Sequence, residues 1–578
     1  MQINSRRGAE TYMANEYDVA VVGCGPVGMV AAALLGQAGH RVVLFERYGG
    51  LFGLPRAATF DDETMRTFQQ LGIADALLPL LHVQETYDWV NGANEVLIEH
   101  SFALDGVSGW PEWFQMYQPE LEQALYEACI ATGNVEIRFS TAVTAYRHRA
   151  DGVDVVIGGV AARGAGAAAA GGAGAVGADL SDASAGGEEL VTASYVIAAD
   201  GGNSFTRDAI GGQITDLGFS EPWMVCDFEL TAPVDIPMAR QVCNPAQPAT
   251  SMGIGPTHHR FSFMLENVEQ FGVESAPSKV WARVADYLTP DKAELIRVAT
   301  YTFRSILVDT WSQGRIFLAG DSAHQMPPFL GQGMCSGIRD AQNLAFKLDL
   351  VLTGRAADDL LATYQAERAP HVESVVRQGI ELGRIQTMRD PEAASVRDAR
   401  LLAERAAQVK PSKVRMPSLE SGFLSPSPGA ARGTIMPQAE VRATGRSVAG
   451  LFDDVAGRGL TLILQRRDLL DDETASLASE LFDVLVDFGD AASGPAGGVA
   501  ATSASATASA SAPTPGAATS LTDVTGTYAR WFAANDAAAV IVRPDHYVFG
   551  TAGDSAELSG LIADVHAQLN IHLVSPII

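Results

Sequence analysis

Three glycines and a carboxylate are the first residues in the chain whose types and spacing imply chemistry. Gly23, Gly25 and Gly28 stand in G-x-G-x-x-G spacing, and Glu46 follows further along. The first glycine permits a tight turn, the second lets backbone approach a pyrophosphate, and the third lets a helix pack against its strand. A carboxylate ending the next strand accepts hydrogen bonds from both hydroxyls of a ribose. The chemistry is dinucleotide binding. A helix N-terminus offers unpaired N–H groups and a positive dipole end, so it holds an anion without a basic side chain. Such a glycine pattern is weak alone, and here its setting is complete. The apolar, mostly β-branched run Val19 to Val22 precedes it, a helix is predicted from Pro26 to Ala38, and a second apolar strand from Arg41 to Phe45 delivers Glu46.

Two more constellations follow. Asp200, Gly201, Ser204 and Arg207 form D-G-x-x-S-x-x-R at the end of a predicted strand, Glu189 to Ala198. Such a turn is common by itself. The strand Ile316 to Ala319 ends in Gly320 and Asp321, and a loop holding Pro327 and Pro328 leads through Gly331 and Gly333 into a helix. Asp321 at a strand's carboxyl end can bind a polyol, while a Gly-rich helix start can stabilise negative charge on a ring system. Arg56, in a Gly-rich loop, is either a surface cation or a pyrophosphate ligand. Gln118, at the entrance of a helix, is either a cap or loop contact or a cofactor hydrogen bond.

These residues need a scaffold, and 578 residues are too many for one core, so two or three domains are expected. A nucleotide-binding unit is predicted over 15–211, interrupted by a Gly/Ala/Ser tract at about 158–187 that reads as an expanded, disordered hairpin loop. Residues 212–310 carry strand patterns in PWMVCDFELTA, RQVCNPAQPA and HRFSFMLE, which suggest a separate antiparallel sheet over a pocket. Residues 311–414 return to the nucleotide unit and add helices, one predicted from Asp358 to Met388 and broken or kinked near Pro370, with Leu360, Leu361 and Tyr364 packing inward. Residues 415–578 form a small α/β domain with a second disordered insert at about 491–518. The net charge of −28 argues against nucleic acid and anionic membrane as partners. Five scattered cysteines with no C-x-x-C and no metal-ligand spacing imply no metal and a reduced, cytoplasmic setting. The opening MQINSRRGAETYMANEY has no apolar core and is not read as a secretory signal; Met13 is an alternative start, and no transmembrane span is needed.

With G-x-G-x-x-G, Asp200-Gly201 and Gly320-Asp321 in this order, the chain resembles the class A single-component flavin monooxygenases, the para-hydroxybenzoate and phenol hydroxylase group. The stretches LPRAATFDDETMRT, GRIFLAGDSAHQMPPFLGQG and YARWFAANDAAAVIVRPDHYV look most like the 3-(3-hydroxyphenyl)propionate hydroxylases. The resemblance implies a Rossmann-like FAD-binding domain, an antiparallel-sheet substrate domain of α+β type and a C-terminal thioredoxin-like domain, redox-inactive for want of C-x-x-C. It implies bound FAD and NADH or NADPH as co-substrate. The adenosine half would lie on Gly23, Gly25, Gly28 and Glu46, with Pro26, Val27 and Arg47 beside them. Asp321 would hold the ribityl chain next to Gly320, and Arg56, Gln118, Asp200 and Gly201 match cofactor-touching positions. The loop from Pro327 through Pro328, Gly331, Gln332 and Gly333 to Met334 would lie against the isoalloxazine. Cys335 stands where relatives carry Asn, and a thiol cannot replace an amide's paired donor and acceptor; a packing role is expected for it. The implied reaction is hydroxylation of a phenolic acid, ortho to its hydroxyl, by O2 through a flavin C4a-hydroperoxide. The alternatives are a larger polycyclic or polyketide substrate, or NAD(P)H oxidation without hydroxylation. Arg260 is the expected substrate anchor, ahead of His258, His259 and Tyr301, and a homodimer is expected by analogy.

Overall fold

The computed structural model describes residues 16–159, 189–411, 416–488 and 519–569. Met13 and both predicted inserts lie outside them, except that Gly158 and Gly159 complete the strand Val153–Gly159. The strand Glu16–Val22 sits mid-sheet because it is apolar on both faces, as a parallel strand covered by helices must be. It pairs in parallel with Val42–Phe45 on one side and Glu189–Ala198 on the other. Val135–Arg138 and Ile316–Leu318 extend the sheet outward, again in parallel. The hairpin Thr141–His148 and Val153–Gly159 adds antiparallel to the start of Glu189–Ala198, setting Val153 opposite Ala193 and Ile157 opposite Glu189. The chain on either side of the first insert is therefore paired.

Two helices cross on glycine. Pro26–Gln37 begins with Pro26 in its first turn, and Val27 meets Gly320 and Gly337, where an added Cβ on Gly337 would lie 2.6 Å from the valine side chain. The second helix, Gly333–Leu352, is buried along most of its length.

The second sheet has eight strands in the order His324–Gln325, Ala293–Val308, Ile214–Leu230, His258–Met264, Ala249–Gly253, Ala239–Val242, Thr86–Val90 and Val96–Ser101. All pairings are antiparallel except that of Ala239–Val242 with Thr86–Val90. The last two strands come from the stretch read as nucleotide-binding. Alternation assigns the faces: Met224, Cys226, Phe228, Phe261 and Phe263 pack on Val280 and Val284 of the helix Pro277–Val284. Trp223, Val225, Arg260 and Ser262 face a cavity on the opposite side.

Of the break or kink expected near Pro370, the break is absent. The helix Thr363–Gln386 runs unbroken through Pro370, after a short turn at Asp358–Ala362. Proline cannot donate to the carbonyl four residues back, that of Ala366; the Ser421 hydroxyl donates to it instead at 2.9 Å. Leu360, Leu361 and Tyr364 are buried as predicted. Among the described residues no helix is long and apolar enough to cross a membrane.

A third sheet of seven strands, running from Gly450–Leu451 at one edge to Val548–Ala552 at the other, closes the chain. It docks through buried ions. Arg66 forms a bidentate pair with Asp453 at 2.7 and 2.8 Å and also donates to the carbonyl of Met436. Arg543 pairs with Glu367 at 2.7 Å. Burial alone would push the carboxyl of Asp453 up, but Arg66 overrides it and holds it at about 2. Glu367 is likewise held at about 2 against burial, by Arg543 and Lys347. Removing one partner leaves a buried charge alone, so Asp453→Asn is expected to lower unfolding stability by about 3–5 kcal/mol in a urea titration. Both carboxyls are depressed in the folded state. Their contribution is therefore complete above the ordinary carboxylate pKa of ~4 and is lost as the pH falls toward the folded values, an acid transition that D453N should blunt when followed by circular dichroism.

Candidate active site

The first sheet, the second sheet and the two crossing helices enclose one cavity of about 2130 Å³. At one end the helix Pro26–Gln37 points its N-terminus inward with no side chain capping it, leaving its first N–H groups for a ligand. The glycines there act differently from one another. A Cβ on Gly28 would stand 2.0 Å from the Gly23 carbonyl, and Gly23 itself has φ +104° and lies against the Ala199 carbonyl. Beside Gly25 there is open space: an added Cβ would meet no protein atom within 4 Å. The carboxylate of Glu46 accepts from the backbone N–H groups of Cys24 and Tyr48 at 2.9 and 3.0 Å, tying the strand end to the turn.

Asp321 follows Gly320, whose φ of +64° turns the chain out of its strand. Its carboxylate has no protein partner among the described residues and is exposed to the cavity, yet it sits deep enough between the cavity walls to be desolvated. Burial raises its pKa, opposed by His324 and Arg56. A second helix N-terminus, that of Gly333–Leu352, also lacks a side-chain cap and opens on the same cavity. Gly331 (φ +63°) packs so close to Thr59 and Trp113 that a Cβ there would lie 2.5 Å from the threonine hydroxyl. Gln332 fixes this loop by donating to Asp61 at 2.9 Å and accepting from Arg339 at 2.8 Å.

Of the residues picked out from sequence, Gly25, Pro26, Val27, Arg47, Arg56, Gln118, Asp200, Gly201, Arg260, Asp321, Pro328, Gly331, Gln332, Gly333 and Met334 line this cavity. Gly23, Gly28, Glu46 and Gly320 stand behind its wall as backbone supports. Pro327 is buried and lies over Gly379. Cys335 is fully buried outside the cavity wall, its thiol donating to the Gly331 carbonyl at 3.6 Å. Burial pushes that thiol up to about 12, and the nearby Asp61 adds to the shift.

Several cavity residues are already engaged. Asp200 accepts from Ser204 and from the backbone N–H of Thr206, and Arg207 donates to the Gly202 carbonyl, so D-G-x-x-S-x-x-R closes on itself as a helix cap. The amide oxygen of Gln118 accepts from the N–H groups of Arg56 and Ala57 at 2.9 and 2.6 Å, and its nitrogen donates to Glu122 at 2.6 Å. Arg260 makes a bidentate pair with Asp227 at 2.6 and 3.2 Å and donates to the carbonyls of Arg56 and Pro55 at 2.6 and 2.9 Å. Arg297 adds a bond to Pro55 and another to Tyr301. The loop Pro55–Ala57 is thus clamped from two sides, which sets the Arg56 guanidinium over the Phe52 ring at 4.0 Å. Of the other residues considered as anchors, Tyr301 lines the cavity, while His258 stacks on Tyr117 at 3.8 Å and His259 bonds Ser251 at 2.9 Å.

Sequence reasoning missed the sheet-side wall: Tyr87, Trp89, His100, Gln241 and Thr250. The alternation in TYDWV and VLIEHS was a usable signal. Which face it served depended on a parallel pairing with Ala239–Val242.

Fold and site together define a dinucleotide-binding α/β protein with a second sheet roofing its ligand cavity, and known proteins match it closely. The model of the FAD binding domain family matches residues 16–379, and that of the HcaD C-terminal domain matches residues 433–568. The chain is 46% identical over 553 residues, 96% of itself and 95% of the relative, to a probable NADH-specific resorcinol 4-hydroxylase of Rhodococcus jostii (strain RHA1). It is 30% identical, over 96% of itself and 93% of the relative, to a 3-(3-hydroxy-phenyl)propionate/3-hydroxycinnamic acid hydroxylase of Mycolicibacterium gilvum (strain PYR-GCK). A solved structure of aklavinone-11 hydroxylase with FAD and aklavinone shares the fold at a TM-score of 0.70 and 22% identity, over 96% of this chain and 100% of that one. The chain belongs to the FAD binding domain family and is a class A flavin-dependent aromatic monooxygenase.

The residues present suit FAD. The uncapped helix end and the open space at Gly25 suit a pyrophosphate, and the unpartnered Asp321 suits a polyol. Gly25 has extended backbone (φ −87°, ψ 177°) that valine tolerates, so a side chain there would intrude on ligand and not on protein. Gly25→Val is expected to leave apoprotein thermal unfolding unchanged and to weaken FAD binding about tenfold or more, read by flavin fluorescence titration.

Proposed function

We propose that this monooxygenase hydroxylates a small, uncharged dihydroxybenzene of the resorcinol type, with NADH as its reductant. The carrying observation is the sheet-side wall. The side chains that the strands Thr86–Val90, Val96–Ser101, Ala239–Val242 and Ala249–Gly253 turn into the cavity are Tyr87, Trp89, His100, Ser101, Gln241, Thr250 and Met252, none of them a permanent cation. Arg260 and Arg297 are spent on Asp227, on Tyr301 and on carbonyls of the clamped loop, and Arg304, which also lines the cavity, stands on Ala293–Val308, separated from this wall by Ile214–Leu230 and His258–Met264. A substrate carboxylate on this wall would find hydroxyls and amides and, among the described residues, no cation, so a phenolic acid suits the wall less well than a neutral phenol. The resorcinol hydroxylase named among the relatives supports the same substrate and supports NADH. Carbon 4 of resorcinol lies ortho to one hydroxyl and para to the other, so the expected ortho position is retained in this reading.

FAD, when bound, supplies the acceptor for nicotinamide electrons and the site where O2 is activated. The chain positions and dries that site. Gly25, Pro26 and the helix behind them would hold the pyrophosphate, Asp321 and Arg56 the middle of the cofactor, and the loop Pro328–Met334 its ring. Trp113, stacked on Phe102 at 5.4 Å, and Trp223 and Phe329 give apolar walls that exclude water from the ring to be hydroxylated. Arg260 acts as a positioning residue: through Asp227 it ties the sheet to the loop that carries Arg56. The division into units at 15–211, 212–310, 311–414 and 415–578 fits this scheme once strands 86–101 are counted with the sheet. The C-terminal unit is read as thioredoxin-like, with parallel pairing of Thr461–Leu464 and Val484–Asp487 and antiparallel pairing of Ala539–Val542 and Val548–Ala552; its task is structural.

The test is a panel of resorcinol, phenol, 3-(3-hydroxyphenyl)propionate and a polycyclic phenol, scored for stimulated NADH oxidation and product mass. Resorcinol is expected to give the largest stimulation and a product heavier by one oxygen. Release of all consumed O2 as hydrogen peroxide, or a preference for the carboxylated phenol, would overturn the reading.

A further inference from the structure

We propose that Tyr87 and His100 read the substrate's hydroxyl as a pair, Tyr87 donating a hydrogen bond to its oxygen and His100 accepting one from its O–H. This rests on the phenol hydroxylase function above and assigns the specificity residues of the same cavity. The two residues are direct cross-strand partners, so their side chains leave the same face of the sheet side by side. Both line the cavity, and the Trp89 ring adjoins both, its centroid 6.4 Å from that of Tyr87 and 6.5 Å from that of His100.

A chain of hydrogen bonds fixes which way Tyr87 points its proton. The backbone carbonyl of Ala249 can only accept, and Gln386 meets it at 2.8 Å, so the facing amide atom of Gln386 is its nitrogen. That nitrogen also donates to the Thr250 hydroxyl at 3.1 Å. Thr250, having accepted there, sends its own proton to the amide oxygen of Gln241 at 2.6 Å. The amide nitrogen of Gln241 is then left to donate to the Tyr87 hydroxyl. Every bond runs in one direction, and the sequence ends on a phenolic O–H with no acceptor among the described residues. Bonds aligned in this way polarise one another and strengthen the terminal donor. Burial raises the Tyr87 pKa, so the group keeps its proton.

His100 supplies the complementary function. Its ring has no hydrogen-bond partner among the described residues, and burial lowers its pKa below the usual value. A neutral imidazole always carries one nitrogen that accepts. A phenolic hydroxyl placed between the two residues satisfies both: its oxygen takes the Tyr87 proton in a hydrogen bond, and its hydrogen bonds the imidazole. A methyl group in place of the hydroxyl satisfies neither, leaving the Tyr87 donor and the imidazole acceptor both unmet.

Holoenzyme is titrated with resorcinol and with 1,3-dimethylbenzene, binding being read as a change in flavin absorbance. Wild type is expected to prefer resorcinol. Tyr87→Phe and His100→Phe should each reduce that preference about tenfold, with affinity for 1,3-dimethylbenzene nearly unchanged, since a hydrogen bond to the hydroxyl is lost and packing kept. Thr250→Val, which breaks the chain two bonds behind the Tyr87 hydroxyl, should shift the ratio in the same direction by a smaller factor. A structural role alone would weaken both ligands equally. Retention of the wild-type preference in both Tyr87→Phe and His100→Phe, or a parallel loss for both ligands, would overturn the proposal; if Y87F does not hold flavin, H100F decides. Wild type that neither prefers a phenol nor shows phenol-stimulated NADH oxidation would instead defeat the function itself, and this inference with it.

Discussion

Buried charge on one helix is the constraint that the rest of the structure satisfies. Arg339, Asp340, Asn343 and Lys347 lie on Gly333–Leu352, nearly devoid of solvent contact, and an unpaired ion there would cost several kcal/mol. Each therefore fixes a neighbour. Arg339 bonds Asp61, Glu63 and Gln332, which sets the glycine loop at the cavity. Asp340 accepts from the Gly320 N–H, pairs with Arg368 and bonds His324, which sets the turn carrying Asp321. Asn343 and Lys347 bond Glu367, which Arg543 ties to the C-terminal sheet. Burial lowers the Lys347 ammonium to about 8 although Glu367 opposes the shift, a measure of how dry this seam is. Hydrophobic packing supplies bulk stability here; the ions supply register, because each has only one geometry in which it is satisfied.

The second sheet solves a different problem. A hydroxylation site must exclude water yet admit a small aromatic, and a sheet with two unlike faces does both. Its outer face is sealed by the helix Pro277–Val284, and its inner face supplies the aromatic and amide wall of the cavity. The tie between the halves is Asp227, held by two arginines that also grip the carbonyls of Pro55 and Arg56. Arg260 shows that residue type alone does not tell whether a cation beside a cavity is already paired. Its position lines the site, but its charge is matched elsewhere.

Much of the nucleotide side was legible in the sequence because it is local. Turn, helix and strand from Gly23 to Glu46 are contiguous, and the glycines there are required by contacts within a few residues of one another, such as Gly28 against the Gly23 carbonyl. The unbroken helix through Pro370 was not legible, since the group that relieves it, Ser421, lies far along the chain. The sheet-side wall was missed for the same reason: Tyr87 and His100 sit in short strands whose inward face is set by pairing with residues 239–242.

By itself the sequence determined that a strand, a glycine turn and a helix start stand in the order that suits a dinucleotide, that an acidic residue follows a late strand, and that the parts occur in the order of an aromatic hydroxylase. Each is a short-range statement about backbone conformation and spacing, and neighbouring residues suffice to make it. Only the tertiary structure decided which carboxylates and arginines remain free to meet a ligand. Asp321 is left open while Asp200, Gln118 and Arg260 are engaged, because pairing depends on partners brought from distant strands and helices.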